Sequence, residues 1–90
     1  MKAYKINVDV RIIIEGHNKV ILQKFCSMAL GSKCLVLDGA QIVQLIRFLF
    51  LPRTFDEINE NFTLSFRDEK VIIELINLKI IDVIKNDITN

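Results

Sequence analysis

The sequence is short of the residues on which most catalytic motifs depend. Its 90 residues include three glycines, two cysteines, one histidine and no tryptophan. So few glycines leave no Gly-rich phosphate loop, and His17, the one histidine that could serve a Ser-His-Asp set, lies in a predicted turn. No activating base is evident beside Cys26 or Cys34, and a metal site would need more ligands than these residues supply. We therefore expect a protein that is not an enzyme and holds no cofactor and no metal.

The sequence also lacks an excess of either charge and lacks any long apolar run. Twelve basic residues are interspersed with eleven acidic ones, whereas a nucleic-acid binder normally shows a basic face. No run approaches the roughly 18 apolar residues of a membrane span, and residues 1–4 lead directly into alternating sequence without a signal peptide. We expect a cytoplasmic protein that binds neither nucleic acid nor membrane. In the cytoplasm the two cysteines are expected to be reduced, with a disulfide as the alternative.

The chain is rich in apolar residues. Hydrophobic residues make up 51% of the sequence, at or above the usual share for a soluble domain. Residues 1–90 form one domain by length, and a domain of this size buries only a modest core. Some apolar side chains are therefore expected at the surface, where such patches tend to be binding sites.

The first half of the sequence predicts strands. Apolar side chains stand at every second position over residues 4–14, which predicts one long strand with one buried face. A turn at residues 16–18 leads to a second strand at 19–26. A looser turn at 28–32 leads to a short third strand at 33–37. We expect an antiparallel meander whose third strand lies at an edge.

The second half predicts helices. Asp38 is expected to cap a helix over residues 40–51, which Pro52 ends. The sequence Thr-Phe-Asp-Glu at 54–57 matches a capping box and starts a second helix that ends near residue 61. Its two acidic residues are thus expected to act in capping and not as an acid/base pair.

A weaker cap at residues 65–68 opens a third helix that ends near residue 78, and residues 80–84 predict a short final strand before a polar tail. The expected fold is α+β: a winged helix-turn-helix with an N-terminal three-stranded antiparallel sheet, three helices and a short C-terminal strand.

The third helix has an unusually wide apolar arc. At helical spacing Val71, Leu75 and Leu78 form one stripe, and a second stripe beside it consists of Ile72, Ile73 and Ile76. This arc exceeds the roughly 100° that covers a core, which indicates a second apolar contact unless the domain's own sheet covers the extra stripe. A DNA-reading helix would expose Arg, Lys, Asn or Gln, but this one carries Glu69 and Glu74, which repel phosphate.

The order of elements, with "LDGAQIVQLIRFLFLPRTFDEI" followed by "VIIELINLKII", resembles the precursor-peptide recognition element of ribosomal peptide natural product (RiPP) biosynthesis. That family includes the pyrroloquinoline quinone biosynthesis chaperone and N-terminal domains of thiazole/oxazole and thiopeptide maturation proteins. The resemblance covers roughly residues 8–84. It rests on diffuse hydrophobic spacings and the "PRTFDEI" turn, and ordinary winged helices share the helical half.

The resemblance implies that the leader segment of a precursor peptide adds as a strand to the third strand and docks on the third helix. A peptide-modifying enzyme, in cis or in trans, would then receive the peptide. The residues implied are Lys33, Cys34, Leu35, Val36 and Leu37 on the strand and Glu69, Ile72, Ile73 and Ile76 on the helix. The opposite assignment of the two helix stripes stays open. The alternatives are a winged-helix DNA-binding regulator and a self-associating structural domain, in which a homodimer uses the same strand edge and helix.

Overall fold

The computed structural model describes residues 2–25 and 32–85, and of residues 25, 32 and 33 it describes the backbone alone. Within these ranges it is an α+β fold with three helices and two three-stranded antiparallel sheets. The elements in chain order are β1 (Lys2–Ile6), β2 (Val10–Glu15), β3 (Lys19–Phe25), β4 (Ser32–Asp38), α1 (Ala40–Phe48), β5 (Arg53–Thr54), α2 (Phe55–Asn61), α3 (Phe66–Asn77) and β6 (Ile81–Lys85). The α+β class is confirmed, but the order of strands and helices differs from the expected one.

The prediction of one long strand over residues 4–14 is wrong, because the chain turns at residues 7–9. The side-chain oxygen of Asn7 accepts a hydrogen bond from the Asp9 amide at 2.7 Å, and the Asn7 carbonyl accepts one from the Val10 amide at 3.1 Å. Asn and Asp favour this local pairing, which replaces strand pairing. Val8 preserves the apolar alternation in the sequence, but it lies at the tip of the turn and is 83% exposed.

Strands β1 and β2, which replace the expected long strand, lie in different sheets. The order of the first sheet is β5–β1–β6, and the order of the second is β2–β3–β4. The second sheet is the expected meander, with Val20 facing Leu37 and Leu22 facing Leu35 across β3 and β4. The strand expected at 33–37 is therefore confirmed and extends one residue further at each end. Most of the expected turn at 28–32 lies outside the described residues, as does Cys26.

Helix α1 is shorter than predicted and is not capped by Asp38. It ends at Phe48, and Gly39 occupies its N-cap position without a side-chain cap hydrogen bond. The early end agrees with Pro52, which restricts the residue before it and cannot continue a helix. The Leu49 carbonyl then accepts a hydrogen bond from the Ile6 amide at 2.9 Å, which fixes the end of α1 beside β1.

Both predicted capping boxes are present. The Thr54 hydroxyl accepts a hydrogen bond from the Glu57 amide at 3.2 Å, and the Glu57 carboxylate accepts one from the Thr54 amide at 3.0 Å. The hydrogen bond from the Thr54 backbone holds the pKa of Glu57 below its ordinary value. Ser65 and Asp68 make the same reciprocal pair at the start of α3. These boxes satisfy amides that a helix N-terminus otherwise leaves free.

Helix α3 ends in a Schellman motif with lysine where glycine is usual. Lys79 has a φ of 61°, the Ile80 amide donates to the Leu75 carbonyl at 2.9 Å, and the Lys79 amide donates to the Ile76 carbonyl at 3.0 Å. The ammonium group of Lys24 donates to the Lys79 carbonyl at 2.9 Å. A lysine in this left-handed conformation costs roughly 1–2 kcal/mol because its Cβ crowds the backbone.

We expect Lys79→Gly to raise the free energy of unfolding by about 1 kcal/mol, since glycine removes most of that strain but gives up some backbone entropy on folding. Urea denaturation followed by circular dichroism measures it. Lys70→Gly, inside the same helix, is the matched control and should lower stability by about 1 kcal/mol. An unchanged or lower stability for Lys79→Gly would contradict the strain argument.

The core lies between the two sheets and the three helices. Its fully buried side chains come from β3, from α1 and its end, from α2, from α3 and from β6: Val20, Leu22, Leu45, Ile46, Leu49, Ile58, Leu75 and Ile81. None of the helices in the described ranges is both long and apolar enough to cross a membrane.

Candidate peptide-binding site

Strand β4 has an open edge. It pairs with β3 on one side, and no other strand in the described ranges pairs with its second side. Sheet edges of this kind present free backbone donors and acceptors to an incoming strand.

The register shows which backbone groups point outward. The Gly39 amide donates to the Asn18 carbonyl at 2.6 Å, and this pair continues the register in which Lys19 faces Asp38. Directly opposed residues alternate between hydrogen-bonded and non-hydrogen-bonded pairs in an antiparallel ladder. Leu35 and Leu37 therefore direct their N–H and C=O groups toward β3. The corresponding groups of Cys34, Val36 and Asp38 point to the open edge.

A cavity of about 310 Å³ lies beside this edge, between β4, the connection to α1 and the first turns of α3. We call it the edge groove. Its lining residues are Val36, Leu37, Asp38, Gly39, Ala40, Gln41, Ile42, Arg67, Asp68 and Val71. The groove is thus part apolar and part polar, as expected of a site that holds both backbone and side chains.

Hydrogen bonds fix the wall that α3 gives to the groove. The side-chain amide of Gln41 donates to the Thr63 carbonyl at 2.8 Å and to the Asp68 carboxylate at 2.9 Å. The same Asp68 oxygen accepts the Ser65 amide at 3.2 Å. The N-terminus of α3 is therefore held against α1 beside the groove.

A second cavity lies on the other side of α3. It has a volume of about 150 Å³ and is lined by Tyr4, Leu49, Phe55, Ile58, Glu69, Ile72, Ile73 and Ile76. In its lining the rings of Tyr4 and Phe55 meet edge to face, with centroids 6.2 Å apart. We call it the aromatic cavity.

The structure divides the expected peptide site between the two cavities. Val36 and Leu37 line the edge groove, but Glu69, Ile72, Ile73 and Ile76 line the aromatic cavity together. At 100° per residue these four side chains point about 140° away from Arg67, Asp68 and Val71, which face β4. The edge groove therefore matches the opposite assignment of the helix stripes, with Val71 toward the strand.

The remaining expected residues lie along β4. Cys34 is exposed and has a free thiol, and Leu35 packs half-buried against the core. The backbone of Lys33 lies in β4, but its side chain is outside the described residues. Ile72 is buried in the core, whereas Ile73 is 57% exposed.

The β4–α1 connection contributes to the groove in a way that was not predicted from the sequence. Gly39 has a φ of 129°, which only glycine adopts readily, and it turns the chain from the strand into α1. A glycine directly after a strand and before a helix was the available signal. Gln41 carried no signal, since its two partners, Thr63 and Asp68, come from a distant stretch of sequence.

Elsewhere, His17 is exposed in the turn between β2 and β3. The described residues contain no group of three or more His, Cys, Asp or Glu side chains arranged to hold a metal ion. Searches against protein-family models, curated proteins and solved structures find no significant match to this chain.

Proposed function

We propose that the chain is a non-catalytic peptide-binding module of RiPP biosynthesis. An extended leader segment of a ribosomally made precursor peptide would add to the open edge of β4 and place alternate side chains in the edge groove. The module would then deliver the peptide, in the cytoplasm, to a modifying enzyme of the thiazole/oxazole or thiopeptide type, in cis or in trans. In this proposal the meander and the three helices act as a winged-helix-type recognition domain.

The observation that carries the proposal is the coincidence of free backbone groups with a groove. Cys34, Val36 and Asp38 direct N–H and C=O groups outward, and the groove of about 310 Å³ begins at the same strand. Main-chain hydrogen bonds supply affinity in strand addition, and pockets for alternate side chains supply specificity.

DNA binding by α3 is less well supported. Glu69 and Glu74 are exposed on the helix, and the chain has a net charge of only +1. Affinity for DNA depends on phosphate neutralisation and therefore falls steeply with salt. Peptide binding through backbone hydrogen bonds and apolar contacts should depend on salt weakly.

The test is fluorescence anisotropy with a labelled leader from a precursor peptide encoded near the gene. We expect a Kd near micromolar, about −8 kcal/mol. Val36→Pro should weaken binding at least tenfold, because it removes an outward amide that the added strand needs. This amide makes no bond to β3, and edge positions of this kind tolerate proline, so that circular dichroism should show a retained fold.

Ile73→Glu is the matched control, since Ile73 is exposed and lines the aromatic cavity but not the edge groove. It should leave the Kd within about twofold. If Ile73→Glu abolishes binding and Val36→Pro does not, the peptide site is the aromatic cavity and the strand-addition mechanism is rejected. The absence of binding to the folded wild type rejects the proposed function itself.

A further inference from the structure

The carboxylate of Asp38 is a charged group at the edge groove that has no partner among the described residues. Asp38 is exposed, lines the groove and does not cap α1. Lys19 faces it across the ladder, yet the one ion pair found in the described residues joins Arg53 and Glu57. Asp38 makes no hydrogen bond to a described residue either, which leaves its charge available to a ligand.

The other acidic group of the groove is already engaged. The carboxylate of Asp68 accepts hydrogen bonds from Gln41 and from the Ser65 amide. Arg67 also lines the groove, but no ion pair joins it to Asp38 in the part of the chain that the structure describes. A residue of an added strand directly opposite Asp38 is a closer neighbour of its carboxylate than a residue that α3 contributes.

An added antiparallel strand runs from Asp38 toward Cys34. Its first residue lies opposite Asp38, its third opposite Val36 and its fifth opposite Cys34, and all three share the outer face with those residues. Directly opposed side chains are close enough to interact, and opposite charges and β-branched pairs are favourable. The second and fourth residues point inward, next to the half-buried Leu37 and Leu35.

Val36 also belongs to an apolar row on the outer face of the sheet. Ile13 faces Ile21 across β2 and β3, and Ile21 faces Val36 across β3 and β4. Ile13 and Val36 are 39% and 48% exposed. A β-branched residue opposite Val36 would extend this row by one strand and cover part of its exposed end.

We propose that the edge groove selects a peptide whose successive residues are basic, apolar, β-branched and apolar. In this proposal the carboxylate of Asp38 pairs with the basic side chain. This inference rests on the proposed function, since it assumes strand addition to β4. It adds the chemical class of the ligand, its direction relative to β4 and the residue responsible for charge selection. We expect the peptide to add antiparallel to β4, because antiparallel pairing is slightly more stable per residue than parallel pairing.

The test uses three labelled peptides with Ser-Gly flanks and the full chain, measured by fluorescence anisotropy at low salt. The core sequences are Lys-Leu-Val-Leu-Thr, Glu-Leu-Val-Leu-Thr and the reversed order Thr-Leu-Val-Leu-Lys. We expect the first to bind about fivefold tighter than the second, from one favourable charge pair replaced by a repulsive one. Asp38→Lys should reverse this preference. Glu60→Lys, an equal change of charge at an exposed site on α2, should not.

The outcomes separate this inference from the proposed function. If the natural leader binds but the Lys and Glu peptides bind equally, or if Asp38→Lys does not change their ranking, the inference is overturned and strand addition stands. Tighter binding of the reversed peptide overturns the antiparallel direction. If neither the leader nor any of the three peptides binds, the proposed function fails as well.

Discussion

Replacing Leu75 by alanine should lower the free energy of unfolding by about 3 kcal/mol. Leu75 lies on α3 and is 1% exposed, so that truncation loses its burial and leaves a cavity in the core. For a domain of this size the loss corresponds to a fall in Tm of roughly 12–24 °C. Differential scanning calorimetry measures both quantities.

Ile73→Ala is the control for this prediction, because it truncates an aliphatic side chain on the same helix at an exposed position. It should change stability by less than about 0.5 kcal/mol. Equal losses for the two variants would mean that α3 does not bury the face containing Leu75, and both cavity assignments would then have to be revised.

The second large effect is expected at Gly39. Its φ of 129° belongs to a region that residues with a side chain rarely adopt, although a Cβ there would meet only Ile42, at 3.6 Å. The cost of Gly39→Ala is therefore backbone strain and not collision, and we expect a loss of about 2 kcal/mol. Because Gly39 joins β4 to α1 and lines the edge groove, the variant should also weaken leader binding, as measured by anisotropy on the folded fraction.

Gly16→Ala gives the comparison. Gly16 has a φ of 64°, with nothing near its Cβ position, and the left-handed region costs a residue with a side chain roughly 1–2 kcal/mol. Gly16 lies in the turn between β2 and β3, away from the edge groove. The Gly16→Ala variant should lose less stability than Gly39→Ala and should bind the leader with unchanged affinity. An affinity loss in both variants would indicate a global effect on the sheet.

Local signals in the sequence predicted most of the elements, because their causes are local. The two capping boxes and Pro52 place the starts of α2 and α3 and the end of α1 within a few residues. The division of the first strand was missed, since Val8 sustains the period-two pattern while Asn7 and Asp9 supply the turn. The short strand β5 was also missed, because two residues carry no periodicity and pair with β1 only through tertiary structure.

The candidate site was predicted in part for a similar reason. The edge position of β4 follows from chain order, and the apolar width of α3 follows from helical spacing. The side of α3 that faces β4 depends on how the helix is rotated, and Gln41 and Thr63 contribute to that rotation through contacts between distant parts of the chain. Spacing within one helix contains no information on such contacts.

The sheet β5–β1–β6 has a consequence for folding during synthesis. Strand β1 leaves the ribosome first, but it pairs with β5 at Ala3 and Tyr4 and with β6 from Lys2 opposite Lys85 to Ile6 opposite Ile81. At 5–20 residues per second, β1 waits on the order of 10 s for its second neighbour. The local hairpins β2–β3–β4 close early, whereas pairing β1 with β6 closes nearly the whole chain and carries a larger entropic cost. A ribosome that stalls shortly before residue 81 would therefore hold a nascent chain with a formed meander and a first strand that still lacks β6 as its neighbour.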